Sequence, residues 1–413
     1  MKEHKIVVIG GGPAGMAAAL AAYEAGVKDV VILDREERLG GILPQCIHNG
    51  FGLHKLGQEL TGPEYAEYYA EKIRKTDIKV YTGTMVTSLT EDRVITASNE
   101  KGILQIRAGA VILAMGCRER SRGALGLCGT RPAGIYTAGT AQKLLNCHGL
   151  LVGKRVVILG SGDIGLIMAR RMTLQGAKVE AVCEVMPYSG GLQRNLVQCL
   201  EDFDIPLYLS TTVVKIEGRE RLEGVVLAEV DENRRPISGT ERSISCDTLL
   251  ISCGLIPENE LARMANITLD PVTGGALVDE MRQTDAEGIF ACGNVLHVHD
   301  LVDFVSDEGE VAGLAAAEYV LGEAQSKVAV PTVSGNGVRY VLPQRICDQE
   351  REIPLYFRVS QPRRNVNLII KQGDSVLKKV KRIKVSPGEM EKVVLPAGCL
   401  RKGKGEIKVE VEV

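Results

Sequence analysis

The sequence contains no C-x-x-C pair, no apolar run long enough to cross a bilayer, and no tryptophan. Its eleven cysteines are scattered, which favours a cytoplasmic protein whose thiols are mostly inert. Because no 18 consecutive residues are apolar, no membrane-spanning helix is expected. The four apolar residues 6–9 near the start are too few for the core of a secretory signal.

Charge is present in ordinary amount but is unevenly distributed. The 413 residues carry a net charge near −2, so the chain as a whole is not expected to bind polyanions. Residues 331–413 nevertheless contain 17 Lys and Arg against 9 Asp and Glu, whereas the remainder contains 33 against 43. This asymmetry predicts a distinct C-terminal module.

A strand, a glycine-rich turn, a helix and a second strand follow one another near the start, and the same order recurs 150 positions later. The first copy is predicted at residues 5–9, 10–15, 16–25 and 30–33. The second copy is predicted at residues 155–159, 160–165, 166–175 and 179–183. The spacing favours two related βαβ folds over one large sheet.

Each predicted second strand ends at an acidic residue, Asp34 or Glu184, 24 positions after the first glycine of its turn. This pattern is typical of dinucleotide binding. The glycines allow a tight turn and a close approach of pyrophosphate, the helix N-terminus attracts the phosphates, and the carboxylate accepts hydrogen bonds from ribose. Two such folds in one chain suggest two different dinucleotides. The alternative is a pair of purely structural turns.

Other segments have simpler patterns. Residues 80–96 alternate like a small antiparallel meander, and residues 110–114 and 248–252 are predicted to form buried strands. An Ala-rich helix is predicted at residues 310–321, beginning near Asp307, Glu308 and Gly309. After residue 331 short alternating stretches separated by Pro and Gly predict a small all-β module.

The first glycine-rich segment, together with V-I-L-A-M-G at residues 111–116 and G-I-F-A-C-G-N at residues 288–294, resembles the FAD site of two-domain flavoprotein reductases. These proteins are relatives of thioredoxin reductase and of the pyridine nucleotide–disulfide oxidoreductases. Asn294 stands where the family usually has Asp, and Met115 where it usually has Thr.

A narrower resemblance is carried by I-L-P-Q-C-I-H-N-G-F-G-L at residues 42–53, by residues 160–172 and by C-G-N-V-L-H-V-H-D at residues 292–300. These segments are similar to the flavoprotein that accompanies anaerobic-type glycerol-3-phosphate dehydrogenases. Residues 118–120 and 131–142 also resemble subunits of opine oxidase, dye-linked amino-acid dehydrogenase and hydrogen cyanide synthase.

These resemblances imply an α/β fold with two nested Rossmann-like domains and a C-terminal all-β module. The FAD domain is expected at residues 1–117 and 280–326, the NAD(P) domain at 118–279, and the module at 331–413. The residues expected to bind FAD are Gly10, Gly12, Pro13, Ala14, Gly15, Asp34, Arg35, Gly41, Ile42, Val86, Ala114, Gly116, Gly293 and Asn294. Those expected to bind NAD are Gly160, Gly162, Asp163, Ile164, Gly165, Glu184 and Gly254.

Cys46 and His48 are the candidate catalytic residues, since both lie in a segment that the resemblance places beside the flavin. Thiol exchange requires a second cysteine, and Cys292 is the candidate partner. The interpretation of Cys46 as a small buried apolar residue is favoured over a redox role. His48, like His297 and His299, is either a proton or hydrogen-bond donor to flavin or a packed core residue.

Two further patterns are interpreted without a special site. His297 and His299 have a spacing suited to a metal, but no Cys or carboxylate at a suitable spacing completes the set, so no metal is expected. The basic run at residues 378–384 alternates like a strand and lacks aromatic residues. It is interpreted as a solvated face, with docking to an acidic protein and nucleic-acid binding as weaker alternatives.

The sequence therefore predicts a cytoplasmic FAD-dependent NAD(P)H oxidoreductase that transfers hydride between NADH and FAD. Glu184 favours NADH over NADPH because it would repel a 2′-phosphate. The resemblance implies an electron-transfer subunit, partnered by an iron–sulfur protein and a dehydrogenase subunit in a homo- or hetero-oligomer. The alternative is an FAD-bearing assembly subunit whose nicotinamide site is vestigial. The C-terminal module is expected either to recognise the partner or to dock on its own chain.

Overall fold

The computed structural model describes residues 1–323, 329–347, 350–400 and 405–412. It contains two compact units: Met1–Cys117 together with Pro257–Val413 form the first, and Arg118–Ile256 form the second. The predicted α/β class with two Rossmann-like folds and a strand-rich C-terminal region is confirmed. Residues 257–279 lie in the first unit, whereas the sequence analysis placed them in the second domain.

The elements fall into three stretches of the chain. Up to residue 116 they are β1 (Lys2–Ile9), α1 (Pro13–Glu24), β2 (Val30–Leu33), β3 (Asn49–Phe51), β4 (Leu60–Thr61), α2 (Gly62–Arg74), β5 (Lys79–Tyr81), β6 (Met85–Leu89), β7 (Val94–Asn99) and β8 (Gly102–Leu113). From residue 117 they are β9 (Cys117–Glu119), β10 (Ile135–Thr137), α3 (Ala138–His148), β11 (Arg155–Leu159), α4 (Asp163–Leu174), β12 (Lys178–Cys183), α5 (Gln193–Cys199), β13 (Leu207–Tyr208), β14 (Thr211–Gly218), β15 (Leu222–Glu229), β16 (Arg242–Ser245), β17 (Thr248–Ile251) and β18 (Leu255–Pro257). From residue 258 they are α6 (Glu260–Met264), β19 (Ile289–Ala291), α7 (Val302–Leu321), β20 (Val330–Ser334), β21 (Val338–Leu342), β22 (Arg345–Ile346), β23 (Ile353–Val359), β24 (Arg363–Gln372), β25 (Ser375–Val385), β26 (Glu391–Leu395) and β27 (Ile407–Glu412).

The first unit is built on a sheet of order β5-β2-β1-β8-β7-β6, with β19 also paired to β8. Strands β5, β2, β1, β8 and β19 are parallel, whereas β6 and β7 are antiparallel additions. The apolar end of β1, residues 6–9, is buried because parallel strands are covered on both faces. Residues 80–81 therefore belong to the parallel sheet, and only β6–β8 form the predicted meander.

Close packing of two helices covers one face of this sheet. A Cβ atom at Gly309 would lie 2.3 Å from the Ala14 carbonyl oxygen, and one at Gly313 would lie 2.1 Å from the Ala18 carbonyl oxygen. Only glycine permits this approach of α7 to α1. The packing of α7 on α1 thus holds a late segment of the chain against the helix that follows the first glycine-rich turn.

The second unit contains a five-stranded parallel sheet of order β10-β17-β11-β12-β13 and a separate antiparallel sheet, β14-β15-β16. The helix α4 follows β11 through the second glycine-rich turn, as the repeat predicts. Within the described residues, no helix has the length and apolar character required to cross a bilayer.

The C-terminal strands form two sheets, β22-β20-β27-β24-β25 and β21-β23-β26, around an apolar core of their own. We call the described part of residues 329–412 the C-terminal module. Its basic strand β25 is paired with acidic neighbours: Lys379 contacts Glu412 at 3.4 Å and Arg382 contacts Glu391 at 2.9 Å. The interpretation of the basic run as a solvated strand face agrees with these contacts.

The C-terminal module is built into the first unit rather than appended to it. Leu342 is fully buried in the same cluster as Val7 and Val278. The Gln344 side-chain oxygen accepts a hydrogen bond from the Val278 amide at 3.1 Å, and the Cys347 amide donates to Glu280 at 2.7 Å. These contacts support the interpretation in which the module docks on its own chain.

Truncation of Leu342 should therefore destabilise the first unit. We expect Leu342→Ala to lower the free energy of unfolding by about 2–5 kcal/mol, because it opens a cavity in a shared core. Urea unfolding measures this change, and Ile383→Ala, at a side chain that is 79% exposed in the same module, is the control. Equal effects of the two substitutions would contradict an integrated module.

Candidate functional site

The glycine-rich turns at residues 10–15 and 160–165 have the same backbone geometry. Gly10 and Gly160 have φ angles of +107° and +101°. A Cβ atom at Gly10 would lie 2.3 Å from the Ala114 carbonyl oxygen, and one at Gly160 would lie 2.1 Å from the Ser252 carbonyl oxygen. Each turn is thus pressed against the end of a neighbouring parallel strand, a position that only glycine can occupy.

In the first unit, the carboxylate at the end of β2 is bound to the turn. The Gly11 amide donates to Asp34 Oδ2 at 2.6 Å, and the Glu36 amide donates to Oδ1 at 2.8 Å. Burial raises the pKa of Asp34, and these two backbone donors oppose the rise. Each carboxylate oxygen retains acceptor capacity, so the group still fits a ribose hydroxyl.

The second unit repeats this arrangement 150 positions later. The Ser161 amide donates to Glu184 Oε2 at 3.0 Å, and the Met186 amide donates to Oε1 at 2.9 Å. Ser161 and Met186 are the counterparts of Gly11 and Glu36. The repeat therefore extends to the hydrogen bonds that orient the carboxylate.

In each unit the helix after the turn begins at a bare glycine. Gly12 precedes α1 and Gly162 precedes α4, and neither helix has a side-chain cap. Apart from its chain neighbours, a Cβ at Gly12 would meet nothing closer than Gly41 Cα at 3.8 Å, and one at Gly162 would meet nothing within 4 Å. Both helix N-termini therefore present backbone N–H groups in a cradle that fits a pyrophosphate.

Two other glycines predicted for FAD lie against the first turn. A Cβ at Gly41 would come within 3.0 Å of Gly12 Cα, and one at Gly293 would come within 2.7 Å of Ala14 Cβ. The loop after β2 and the segment after β19 thus converge on the same turn, as the sequence analysis expects.

Asn294 has its amide engaged by the protein. Its Oδ1 accepts from the His299 amide at 3.0 Å, and its Nδ2 donates to Cys117 Sγ at 3.7 Å. The Asn294 amide is thereby held by the backbone of residue 299 and by Cys117.

The remaining predicted FAD residues differ in exposure. Pro13 and Gly15 belong to the first turn of α1, and Gly116 has a φ of +72°. Arg35 and Ile42 are exposed, whereas Val86, a residue of β6, is buried in the apolar core.

Asp163, one of the residues predicted to bind NAD, forms hydrogen bonds to the protein that the sequence analysis did not predict. Its Oδ1 accepts from the Leu192 amide at 2.8 Å and from Asn195 Nδ2 at 2.6 Å. Ile164 and Gly165 continue into α4, and Gly254 has a φ of +96°. The Asp163 carboxylate therefore anchors the loop that follows Glu184.

The candidate catalytic residues Cys46 and His48 each contact a residue of the same stretch of chain, 42–51. Cys46 Sγ donates to the Ile42 carbonyl oxygen at 3.5 Å, and the His48 ring lies 5.2 Å from that of Phe51. None of the eleven cysteines is in a disulfide. Cys292 is fully buried in the core, and burial raises its pKa, so it is a poor thiolate donor.

A family model described as pyridine nucleotide-disulphide oxidoreductase matches residues 4–309. The chain belongs to this family. It is accordingly an FAD-dependent NAD(P)H oxidoreductase, and the family binds both FAD and NAD(P). The resemblance identified from the glycine-rich turns is confirmed at this level.

Individual relatives are more distant. The chain is 28% identical over 349 residues to the ferredoxin reductase component of chlorobenzene dioxygenase from Cupriavidus sp. (strain PS12), covering 80% of this chain and 77% of that protein. It is 25% identical to hydrogen cyanide synthase subunit HcnB from Pseudomonas protegens, covering 63% and 58%, and 26% identical to one of the subunits of opine oxidase from Agrobacterium tumefaciens, covering 76% and 63%. The chain thus spans less than two thirds of the length of the last two relatives.

Solved structures support the fold. Thioredoxin reductase from T. acidophilum superimposes with a TM-score of 0.64 at 25% identity, covering 77% of this chain and 99% of that one. The NAD-dependent persulfide reductase from A. fulgidus superimposes with a TM-score of 0.61 at 19% identity, covering 95% and 72%. The second likeness concerns the fold alone.

Sequence reasoning missed a buried cluster around Glu308, in the first unit of this oxidoreductase. The Glu308 carboxylate accepts hydrogen bonds from the Gly293 amide at 2.8 Å, from Arg282 Nε at 2.9 Å, and from the Nε2 atoms of His299 and His297 at 3.0 and 3.3 Å. All four side chains are at most 1% exposed. The cluster ties α7 to the Gly293 segment that lies on the first turn.

The position of Glu308 corrects the predicted helix. The helix α7 begins at Val302, eight residues before the start that the Ala-rich pattern suggested. The sequence at residues 303–309 contains three acidic residues and so does not indicate a buried helix. Glu308 can be buried there because its carboxylate has four hydrogen-bond donors. The N-terminus of α7 therefore lies at residues 301–303 and not near Asp307.

The same cluster completes a set that the sequence analysis considered incomplete, because Glu308 supplies a carboxylate beside His297 and His299. The carboxylate oxygens are nevertheless saturated by four donors, one of which is the Arg282 cation. Such a site favours a hydrogen-bonded ion pair over a bound cation. The expectation of no metal stays a prediction.

Titration of the cluster follows from its burial. Burial lowers the pKa of His297 to about 4. Burial acts to raise the pKa of Glu308, but His297, His299 and Arg282 together hold it well below its ordinary value. Glu308 is therefore ionised and His297 neutral at pH 7.

The first unit should lose stability in mild acid. His297 has a pKa of 6.5 when unfolded and about 4 when folded, so between these values only the unfolded chain binds the proton. The free energy of unfolding should fall by about 3 kcal/mol from this group as the pH drops from 6.5 to 4. Urea unfolding at several pH values in that range gives the slope of the free energy of unfolding against pH. In His297→Gln this slope should be smaller than in the unsubstituted protein by the equivalent of about one proton. An unchanged slope would refute the assignment.

Proposed function

We propose that this chain is the electron-transfer subunit of a dehydrogenase complex of the glycerol-3-phosphate dehydrogenase type. In this proposal FAD occupies the first unit, NADH occupies the second, and hydride passes between nicotinamide and flavin. The observation that carries the proposal is the repeated pairing of a carboxylate, Asp34 or Glu184, with the backbone of an open glycine-rich turn in two separate units.

The protein's own residues would act by binding and orientation. Backbone N–H groups at Gly12 and Gly162 would hold the two pyrophosphates, and Asp34 and Glu184 would accept from ribose hydroxyls. Bound FAD would supply the hydride chemistry, so no side chain need act as an acid or base in that step. The Asn294 amide, held by the His299 backbone, would donate towards the ribityl chain.

The positions of the cysteines favour electron transfer to a protein over reduction of a disulfide. A thiol reductase needs a nucleophile and a resolving partner. The partner proposed for Cys46 is Cys292, which is buried with a raised pKa. Cys46 and His48 would then contribute the wall of the flavin site, with no thiol chemistry.

A partner protein is suggested by relatives that are components of multi-subunit systems. The proposed partners are an iron–sulfur protein and a dehydrogenase subunit. Because the C-terminal module is docked on its own chain and β25 is partly neutralised, the partner surface is proposed to include the first unit's body as well as the module.

Nucleotide preference follows from Glu184. Its carboxylate accepts from a free 2′-hydroxyl and repels a 2′-phosphate, and no Arg or Lys stands at Val185, Met186 or Pro187 to reverse that effect. We therefore expect NADH to be preferred over NADPH. The substitution Glu184→Ser combined with Val185→Arg should narrow the difference.

The test is anaerobic addition of nucleotide to the purified chain and to the complex isolated through a tag on it. NADH should bleach the flavin absorbance of both preparations, faster than NADPH does, whereas glycerol 3-phosphate should bleach only the complex. Flavin that NADH cannot reduce would instead indicate an assembly subunit with a vestigial nicotinamide site. Faster reduction by NADPH would contradict the role of Glu184.

A further inference from the structure

The two glycine-rich turns differ by an exchange of side chains at equivalent positions. In the first unit Gly11 has no side chain, and a Cβ there would lie 2.4 Å from Leu39 Cδ2. In the second unit the counterparts are Ser161, which is fully buried, and Ser189. In the first unit the loop residue Leu39 is large and the turn residue Gly11 has no side chain. In the second unit both positions carry a small hydroxyl side chain, Ser161 on the turn and Ser189 on the loop.

The Ser161 hydroxyl joins the turn to two groups of the following segment. It donates to Glu184 Oε2 at 2.7 Å and accepts from the Gly190 amide at 3.2 Å. The Ser189 hydroxyl donates in return to the Ser161 carbonyl oxygen at 3.0 Å. The counterpart of Gly190 in the first unit, Gly40, bonds instead to the Gly11 carbonyl oxygen at 2.8 Å.

The far end of the same loop is held by the next side chain of the turn. The Asp163 carboxylate accepts from the Leu192 amide and from Asn195 Nδ2. Residues 185–192 are therefore attached to the turn on both sides of Gly162, while Gly162 itself remains open. The loop at residues 185–192 and the Glu184 carboxylate that precedes it are therefore joined to the turn by a single network of hydrogen bonds.

We infer that Ser161 is a positioning residue that sets the selectivity of the second unit for a ribose with a free 2′-hydroxyl. The inference rests on the proposed nicotinamide nucleotide site. The hydroxyl fixes Glu184 and, through Gly190, closes the loop beside it. A 2′-phosphate would meet a carboxylate that cannot rotate away and a loop that cannot open.

Loss of the hydroxyl should relax this selection without removing the site. Glu184 would keep the amides of Ser161 and Met186, the same two kinds of donor that hold Asp34 in the first unit. The loop would remain attached through Asp163 and through the bond from the Ser189 hydroxyl to the backbone carbonyl of residue 161. The 2′-phosphate should then be tolerated better, while a free 2′-hydroxyl should lose little.

The test uses ADP-ribose and 2′-phospho-ADP-ribose. These ligands carry no nicotinamide and so cannot reduce the flavin. Isothermal titration calorimetry on the holoprotein gives the ratio of the two Kd values. We expect Ser161→Ala to shift this ratio by about 5- to 10-fold towards the phosphorylated ligand, the scale of one ordinary hydrogen bond. Thr173→Ala, which removes a hydroxyl near the end of α4, should leave the ratio unchanged.

A second variant protects against trivial loss of structure. Ser161→Gly with Ser189→Leu transfers the first unit's pair of side chains to the second unit, so it has a precedent in this chain. It should show the same shift in the Kd ratio. A merely structural role of Ser161 would weaken both ligands equally, and that outcome, or an unchanged ratio, would overturn the inference. Failure of the wild-type holoprotein to bind either ligand would instead refute the proposed nicotinamide site.

Discussion

In each unit the carboxylate that ends the second strand accepts a hydrogen bond from the backbone amide of a residue 23 positions earlier, in the glycine-rich turn. This bond fixes strand, turn and helix with respect to one another before any ligand binds. It leaves the helix N-terminus uncapped and open at Gly12 and Gly162, so the remaining N–H groups are free for phosphate. The same turn therefore joins the strand to the helix and presents the backbone N–H groups that would bind phosphate.

The first unit surrounds its turn with later parts of the chain. The glycines of α7 let that helix pack on α1, and Glu308 on the same helix bonds to the Gly293 amide. Burying this carboxylate is tolerable only because Arg282 and two imidazoles compensate it. The C-terminal module packs on the other side of the 278–284 segment through Leu342 and Gln344. A change in the module would thus act on the segment that carries Arg282, which bonds to Glu308.

Sequence reasoning succeeded where the signal is local. The 150-residue repeat predicted both turns, both helices and both acidic strand ends, because each depends on a short run of residues. It missed the Glu308 cluster, whose members are spread from residue 282 to residue 308 with no regular spacing. It also started α7 too late, since the buried Glu308 is polar by type. Docking of the C-terminal module depends on tertiary contacts of Leu342, which the alternating pattern of β21 does not reveal.

The FAD content of two matched variants tests most directly whether the two turns hold different dinucleotides. Protein atoms leave room for a Cβ atom at both glycines, so we expect Gly12→Val and Gly162→Val to obstruct the ligand more than the fold. Absorbance spectra of the purified variants should show Gly12→Val without FAD and Gly162→Val with one FAD per chain that NADH no longer reduces. Loss of FAD from both variants, or from Gly162→Val alone, would contradict the assignment.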